Sequence, residues 1–207
     1  MRWISKVAFA AANLASIASA AVYVDPETGL TFAQYEAPAT LNSDIIYRIA
    51  VPANAAPNTA FDAVLQIVAP TGVGWAGLAW GGRMPNNPLA VAWGNGQGAI
   101  VSSRFATSHT MPQPHAGSTY QTFTTGTRSN NTHWQVTTLC TGCTSWEGRT
   151  LNPSGQNRLA YATSPTPPSD PSSDTSPISV HDVTNYWTQD FSEGANQGFE
   201  GIVGGLQ

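Results

Sequence analysis

Short apolar or alternating runs recur along this chain, each stopped by proline, glycine, asparagine or aspartate, and that rhythm is one of strands. Residues 45–51 read Ile-Ile-Tyr-Arg-Ile-Ala-Val, 63–68 Ala-Val-Leu-Gln-Ile-Val and 74–80 Gly-Trp-Ala-Gly-Leu-Ala-Trp. The segments 89–93, 99–105, 120–124, 133–140 and 158–163 have the same character. The run from Leu30 to Tyr35 is read as an opening strand and that from Phe199 to Val203 as a closing one. No window carries a convincing helical moment, and no internal repeat is visible. About ten strands separated by turn residues describe an all-β chain, an antiparallel immunoglobulin-like β-sandwich with long loops.

The first twenty residues have a different character. Arg2 and Lys6 precede a mostly apolar run, Val7 to Ala18, and Ala18-Ser19-Ala20 supplies the small-residue pattern of a secretory cleavage site. That run falls short of the ~20 apolar residues a membrane span needs, and no later stretch approaches that length. Residues 1–20 are therefore read as a leader and 21–207 as one secreted domain. Without the leader, the 8 Lys+Arg lose Arg2 and Lys6; six arginines and no lysine remain against 12 acids, a formal charge of −6. Such a surface argues against nucleic acid and anionic membranes, and favours neutral polymers, cations or a basic protein patch. Charged residues make up only 10% of the chain, against a usual ~25%, which suits a turn-rich extracellular β protein.

Serine and proline crowd the segment 164–177, and only 30 residues follow Pro177. Too little chain remains for a second domain, so the segment is read as a long surface loop, with a truncated linker as the alternative. Cys140-Thr141-Gly142-Cys143 is the only cysteine pair, and in a secreted chain it is expected to form a disulfide. Thr144 rules out the Cys-x-x-Cys-His of covalent haem attachment, and no further Cys or His stands at zinc-site spacing. Asn130-Asn131-Thr132 is a glycosylation sequon at Asn130 in a polar turn.

Two residues carry possible redox chemistry. Met84 sits in Gly81-Gly82-Arg83-Met84-Pro85-Asn86-Asn87-Pro88, between apolar runs rich in tryptophan, and Met111 is the only other methionine downstream. His181 follows the serine- and proline-rich segment, 97 positions after Met84. A thioether and an imidazole that meet in a fold are the donor pair of a six-coordinate electron-transfer haem. Taken singly, a methionine is ordinarily core filler and a loop histidine ordinarily solvated. No carboxylate pair suited to glycoside hydrolysis stands out, no Gly-x-Ser-x-Gly elbow is present, and Ala21 rather than histidine would begin the mature chain.

Four stretches, in matching order and spacing, resemble the secreted cytochrome domain of fungal cellobiose dehydrogenase. They are Gly74 to Met84, Leu89 to Trp93, Ser102-Ser103-Arg104-Phe105-Ala106-Thr107, and Thr132-His133-Trp134 leading to Cys140 and Trp146. The resemblance implies a β-sandwich holding one non-covalent haem b, with Met84 and His181 as axial ligands. It implies single-electron relay from a flavin dehydrogenase to ferric iron, quinones or a copper-dependent polysaccharide monooxygenase. With no flavin domain and no Gly-x-Gly-x-x-Gly in this chain, the donor is expected to be a separate molecule. Arg104 and His109 are further expected cofactor contacts. His109 and His115 stand where family members often carry tyrosines, so each is also a rival ligand.

Two other readings stay open at this stage. One is a haem-free carbohydrate-binding β-sandwich module that stacks sugars on exposed aromatics, for which Trp146 and Trp187 lie in polar surroundings. The other is a fragment of a longer flavocytochrome. Trp75, Trp80 and Trp93, in apolar runs, are expected in the core or a pocket wall, whereas Trp134 fits either place. The leader assignment predicts that the secreted protein starts at Ala21. N-terminal sequencing checks it, and a retained Met1 or a later start would contradict it.

Overall fold

The computed structural model describes residues 21–40 and 43–206, so the expected leader, residues 1–20, lies outside the described residues. In chain order the first strands are β1 (Ala21–Val24), β2 (Thr31–Thr40), β3 (Ser43–Pro52), β4 (Ala63–Pro70), β5 (Trp75–Ala79) and β6 (Pro88–Gly94). There follow β7 (Ala99–Phe105), β8 (Gln113–Pro114), β9 (Thr119–Thr122), β10 (Arg128–Ser129) and β11 (His133–Thr141). The last are β12 (Ser145–Trp146), β13 (Arg149–Thr150), β14 (Gln156–Ser164), β15 (Val183–Asp190) and β16 (Ala195–Asn196), with a 3-10 helix at Phe191–Gly194 and one α-helix, α1 (Phe199–Gly204).

These strands form two sheets and a small hairpin. One sheet runs β1-β2-β3-β4-β11-β10, with β9 also on β11 and β16 on β3; the other runs β15-β14-β5-β6-β7-β8, and β12 pairs with β13. Every pairing is antiparallel except β16 with β3, a two-residue parallel contact at Val51 and Pro52. The fold is a β-sandwich, as the strand rhythm predicts.

Alternation explains which side of each strand is buried. In β2 the pattern over Tyr35, Ala37 and Ala39 is inward, with Glu36, Pro38 and Thr40 outward. Tyr47, Ile49, Leu65 and Ile67 from the first sheet meet Leu78, Trp80, Leu159 and Tyr161 from the second. Across this core the Tyr47 hydroxyl donates to Gly77 O at 3.1 Å. In the second sheet, strands β5 and β6 have consecutive residues buried on both faces. Their continuous apolar composition follows from that, and it requires something to cover the outer face of the second sheet.

Two expectations need correction. The closing segment is a helix, not a strand: Phe199, Ile202, Val203 and Leu206 follow the i, i+3, i+4, i+7 spacing of one helical face. That face packs on the outer side of the first sheet against Leu30, Phe32, Val64 and Phe123. No helix among the described residues is long and apolar enough to cross a membrane. Secondly, Trp187 is not a surface platform. It lies in β15, a strand the sequence rhythm misses because most of its side chains face solvent. Its ring stacks on Tyr35 with centroids 4.3 Å apart and planes 6° from parallel.

Burial of that stack predicts that Trp187→Ala lowers stability by about 3–5 kcal/mol, and the melting temperature by roughly 10 °C in a chain this size. Thermal unfolding checks it; an unchanged melting point is the outcome an exposed sugar platform would give.

Candidate functional site

The floor of the site is the outer face of the second sheet. Registers Ala162↔Gly77 and Ala160↔Ala79 on one side of β5, and Gly77↔Val91 and Ala79↔Leu89 on the other, put these six residues on one face. Leu78, Ala90 and Tyr161, one step along each strand, belong to the core on the opposite face. The floor is therefore built of glycine, alanine and two aliphatic side chains. A Cβ on Gly77 would meet nothing closer than 3.4 Å, the Trp75 ring, so a larger side chain there would project over the floor. Above the floor opens a cavity of about 320 Å³, lined mostly by apolar groups, at the lower end of the usual range of ligand clefts.

Three loops wall this cavity. The turn between β5 and β6 contributes Met84, the loop after β7 contributes His109 and Met111, and the long segment before β15 contributes Ile178, Val180 and His181. Met84 is half-buried, whereas His109 and His181 are exposed. Val180 is 81% exposed and Met111 44%. Four groups able to ligate a metal, two thioethers and two imidazoles, thus line one apolar cleft. His181 and Met84 come to it from positions 97 apart in sequence.

The Met84 turn is held by an amide. Asn87, fully buried, donates from Nδ2 to Arg83 O at 2.9 Å and to Pro85 O at 2.8 Å, the carbonyls on either side of Met84. The Trp146 indole N–H donates to Asn86 O at 3.0 Å, and Asn86 N–H to Ala106 O at 2.7 Å. Asn86 itself has φ 57°, a left-handed turn conformation that asparagine tolerates. Trp146 is consequently part of the packing around this turn and not the free platform that its polar neighbours suggest.

The chain on either side of exposed His181 is held by hydrogen bonds. A hydrogen-bond chain runs from the Trp75 indole N–H to Ser179 Oγ, from Ser179 Oγ to Ser164 Oγ, and from Ser164 Oγ to Asp182 Oδ2, with each link 3.1 Å. Asp182 N–H also donates to Thr163 O at 2.9 Å. Further back, the Trp93 indole N–H donates to Pro171 O at 2.9 Å. Buried Arg104 donates from Nη2 to Asp174 O at 3.0 Å and Ser176 O at 2.7 Å, and from Nη1 to Pro112 O at 3.3 Å. Burial pulls the Arg104 pKa below its ordinary value, and nearby Asp174 opposes that.

The remaining sequence candidates separate spatially. Arg104 does not line the cavity; its guanidinium ties together the two loops that do. His115 stacks on Phe105, with centroids 4.8 Å apart, and is absent from the cavity wall. Cys140 and Cys143 are disulfide-bonded, at the end of β11 in the first sheet. Asn130 is exposed at a turn where its Oδ1 accepts from Thr132 N–H and His133 N–H. Sequence reasoning missed the Asn87 clamp and the loop-holding role of Arg104. The paired asparagines between Pro85 and Pro88 were the available signal for the first.

Known proteins resemble this chain along most of its length. A family model described as the cytochrome domain of cellobiose dehydrogenase matches residues 23–201. A pyrroloquinoline quinone-dependent pyranose dehydrogenase of Coprinopsis cinerea is 28% identical over 157 residues, which are 73% of this chain and 21% of that protein. The chain thus spans only about a fifth of the length of this relative. Among solved structures, the cytochrome b domain of pyranose dehydrogenase from Coprinopsis cinerea superposes with TM-score 0.79 at 23% identity, covering 91% of this chain and 96% of that one. The cytochrome domain of Myriococcum thermophilum cellobiose dehydrogenase gives TM-score 0.78 at 21% identity, with 90% and 96% covered. At these identities the two structures establish the shared fold.

The clamp makes a prediction independent of any ligand. Asn87→Ala leaves Arg83 O and Pro85 O without their donor, and is expected to cost about 1–3 kcal/mol. Denaturant unfolding measures this. An unchanged midpoint would mean that the turn around Met84 is held by other contacts.

Proposed function

The chain belongs to the family of cellobiose dehydrogenase cytochrome domains, and from that premise we propose that it is an extracellular b-type cytochrome that passes single electrons. It would hold one non-covalent haem in the cleft, with the Met84 sulfur and a His181 imidazole nitrogen as axial ligands. The observation that supports this most is that a thioether and an imidazole so far apart in sequence line one apolar cleft over a floor of glycine and alanine.

The residues present fit such a group. A flat macrocycle needs a floor without bulky side chains, which Gly77, Ala79, Ala160 and Ala162 provide. Apolar walls keep water away, and Met111 and Val180 have exposed apolar surface at the cleft to contribute. Bound in this way, a haem b supplies a one-electron ferric–ferrous couple, and a neutral thioether raises its potential by favouring the ferrous state. Met84 and His181 together would leave no axial position open, which suits electron transfer over oxygen activation. His109, exposed on the loop after β7, would hydrogen-bond a propionate or compete with Met84.

The electron donor is read as a sugar dehydrogenase. The matched Coprinopsis relative is pyrroloquinoline quinone-dependent, so the donor class widens from flavin enzymes to quinone-dependent ones. Ferric iron, quinones or a copper polysaccharide monooxygenase are the acceptors we propose. Secretion is supported by the leader-like start, and glycosylation at Asn130 is supported by its exposed turn. The protein is a carrier in this account, with no substrate turnover of its own. The sugar-binding alternative loses support because Trp146 and Trp187, the aromatics it needs, are engaged in packing.

Visible spectra of the purified protein, oxidised and then dithionite-reduced, test the reading. A Soret band with α and β bands that sharpen on reduction is expected. Met84→Ala and His181→Ala should each convert the haem to high spin. A featureless spectrum after hemin is added sinks the proposal.

A further inference from the structure

The glycine pair before Met84 brings two arginine-bearing elements onto one turn. A Cβ on Gly81 would run first into the Asn87 amide and lie 2.7 Å from the Trp146 ring, and one on Gly82 would lie 2.6 Å from Arg158 Cγ. Only glycine admits so close an approach, so β12 and β14 both close onto the residues immediately before Arg83 and Met84. Trp146 is the cross-strand partner of Arg149. Arg83, Arg149 and Arg158 are all exposed. The Arg158 guanidinium rests 3.9 Å above the ring of Tyr186, itself 58% exposed, which limits where that charge can go.

The other arginines of the described chain are committed elsewhere. Arg48 is buried and donates to Gln34 Oε1 and Gln66 Oε1. Arg104 holds the loops. Arg128 pairs with Glu27. Among the described residues, then, the arginines free of such engagements collect beside Met84, on a chain whose formal charge is negative. The other wall of the cleft continues into a loop carrying exposed Asp170, Asp174 and Asp182. Fields from exposed charges fade beyond ~8–10 Å at ordinary salt, so an anion near Met84 meets the three arginines, offset in part by Glu147 and Asp190, more than the rest of the net charge.

We infer that Arg83, Arg149 and Arg158 form a docking site for a small multivalent anion, namely an anionic ferric complex that accepts the electron on the Met84 side of the cleft. This rests on the electron-transfer reading above. Size decides against a broad acidic protein face, because exposed Glu147 lies in the turn between Trp146 and Arg149, and Asp190 pairs with Gln156 next to Arg158. Those carboxylates would repel a wide acidic surface, whereas a compact anion fits between the arginines. The complex arrives ferric, takes one electron from the reduced cytochrome and leaves ferrous, with no bond or proton exchanged. The overall charge by itself would favour cationic partners, and the local arrangement reverses that expectation.

Hexacyanocobaltate(III), a trianion that accepts no electron here, is the probe. Titrated into the purified full-length secreted protein by calorimetry and amide NMR, it should shift residues 82–86, 146–149 and 158, and bind more weakly as salt is raised. Each of R83Q, R149Q and R158Q should weaken binding by about three- to fivefold, the scale of an exposed charge pair, while R128Q leaves it unchanged. Reduction of ferricyanide by the haem-loaded protein should likewise slow with added salt. Absence of binding, binding undiminished in the triple variant, or ferricyanide reduction that quickens with salt would overturn the inference. Because the cobalt complex is read by binding alone, its failure is distinct from a missing Soret band, which would instead sink the cytochrome reading.

Discussion

A strand that is apolar on both faces must be covered on both faces, and the architecture around the cleft follows from that requirement. The inner face of β5 and β6 is met by the first sheet. On the outer face, Trp75, Val91 and Trp93 of these same strands are met by Ile178 from the loop that precedes β15. Irregular chain laid over an apolar surface leaves carbonyls with no ladder partner, and buried carbonyls need donors. Arg104 and the indoles of Trp93 and Trp75 supply N–H groups to that loop. A hydrogen bond from a charged donor is worth about 1.5–3 kcal/mol net, which offsets part of an ordering cost of roughly 1–2 kcal/mol per residue.

The cleft forms where this cover changes from one loop to the next. Its floor is the sheet itself, and its walls are turns and a long loop tied down by hydrogen bonds. Asn87 fixes the turn around Met84, and the serine chain ending on Asp182 fixes the segment around His181. Segments carrying Met84 and His181, held independently against one sheet, suit the proposed role, in which coordination would stay the same in both oxidation states. Electron transfer benefits from such rigidity, because little has to move when the charge changes.

Strand rhythm made the sandwich legible, since turn residues mark nearly every boundary and Ala99–Phe105 is a strand at both its expected ends. What escaped was structure whose burial is one-sided or locally encoded. Strand β15 reads Val-Thr-Asn-Tyr-Trp-Thr-Gln-Asp, polar because it is an edge, with only Trp187 and Gln189 buried. Helix α1 spans only six residues, too few for a moment to stand out. Met84 and His181 could be singled out by resemblance but not by pattern, because loop residues obey no period. Arg104 shows the limit most clearly. Its position in a family-like run suggested contact with a cofactor, whereas its geometry is that of a clamp behind the wall.

The central claim is that the iron would be held by one sulfur and one imidazole, with Met84 and not His109 opposite His181. Iron-edge X-ray absorption of the purified protein, oxidised and reduced, measures this directly. The account predicts one sulfur scatterer in both states, absent in Met84→Ala and retained in His109→Ala. A first shell of nitrogen alone would contradict it and point to a pair of histidines.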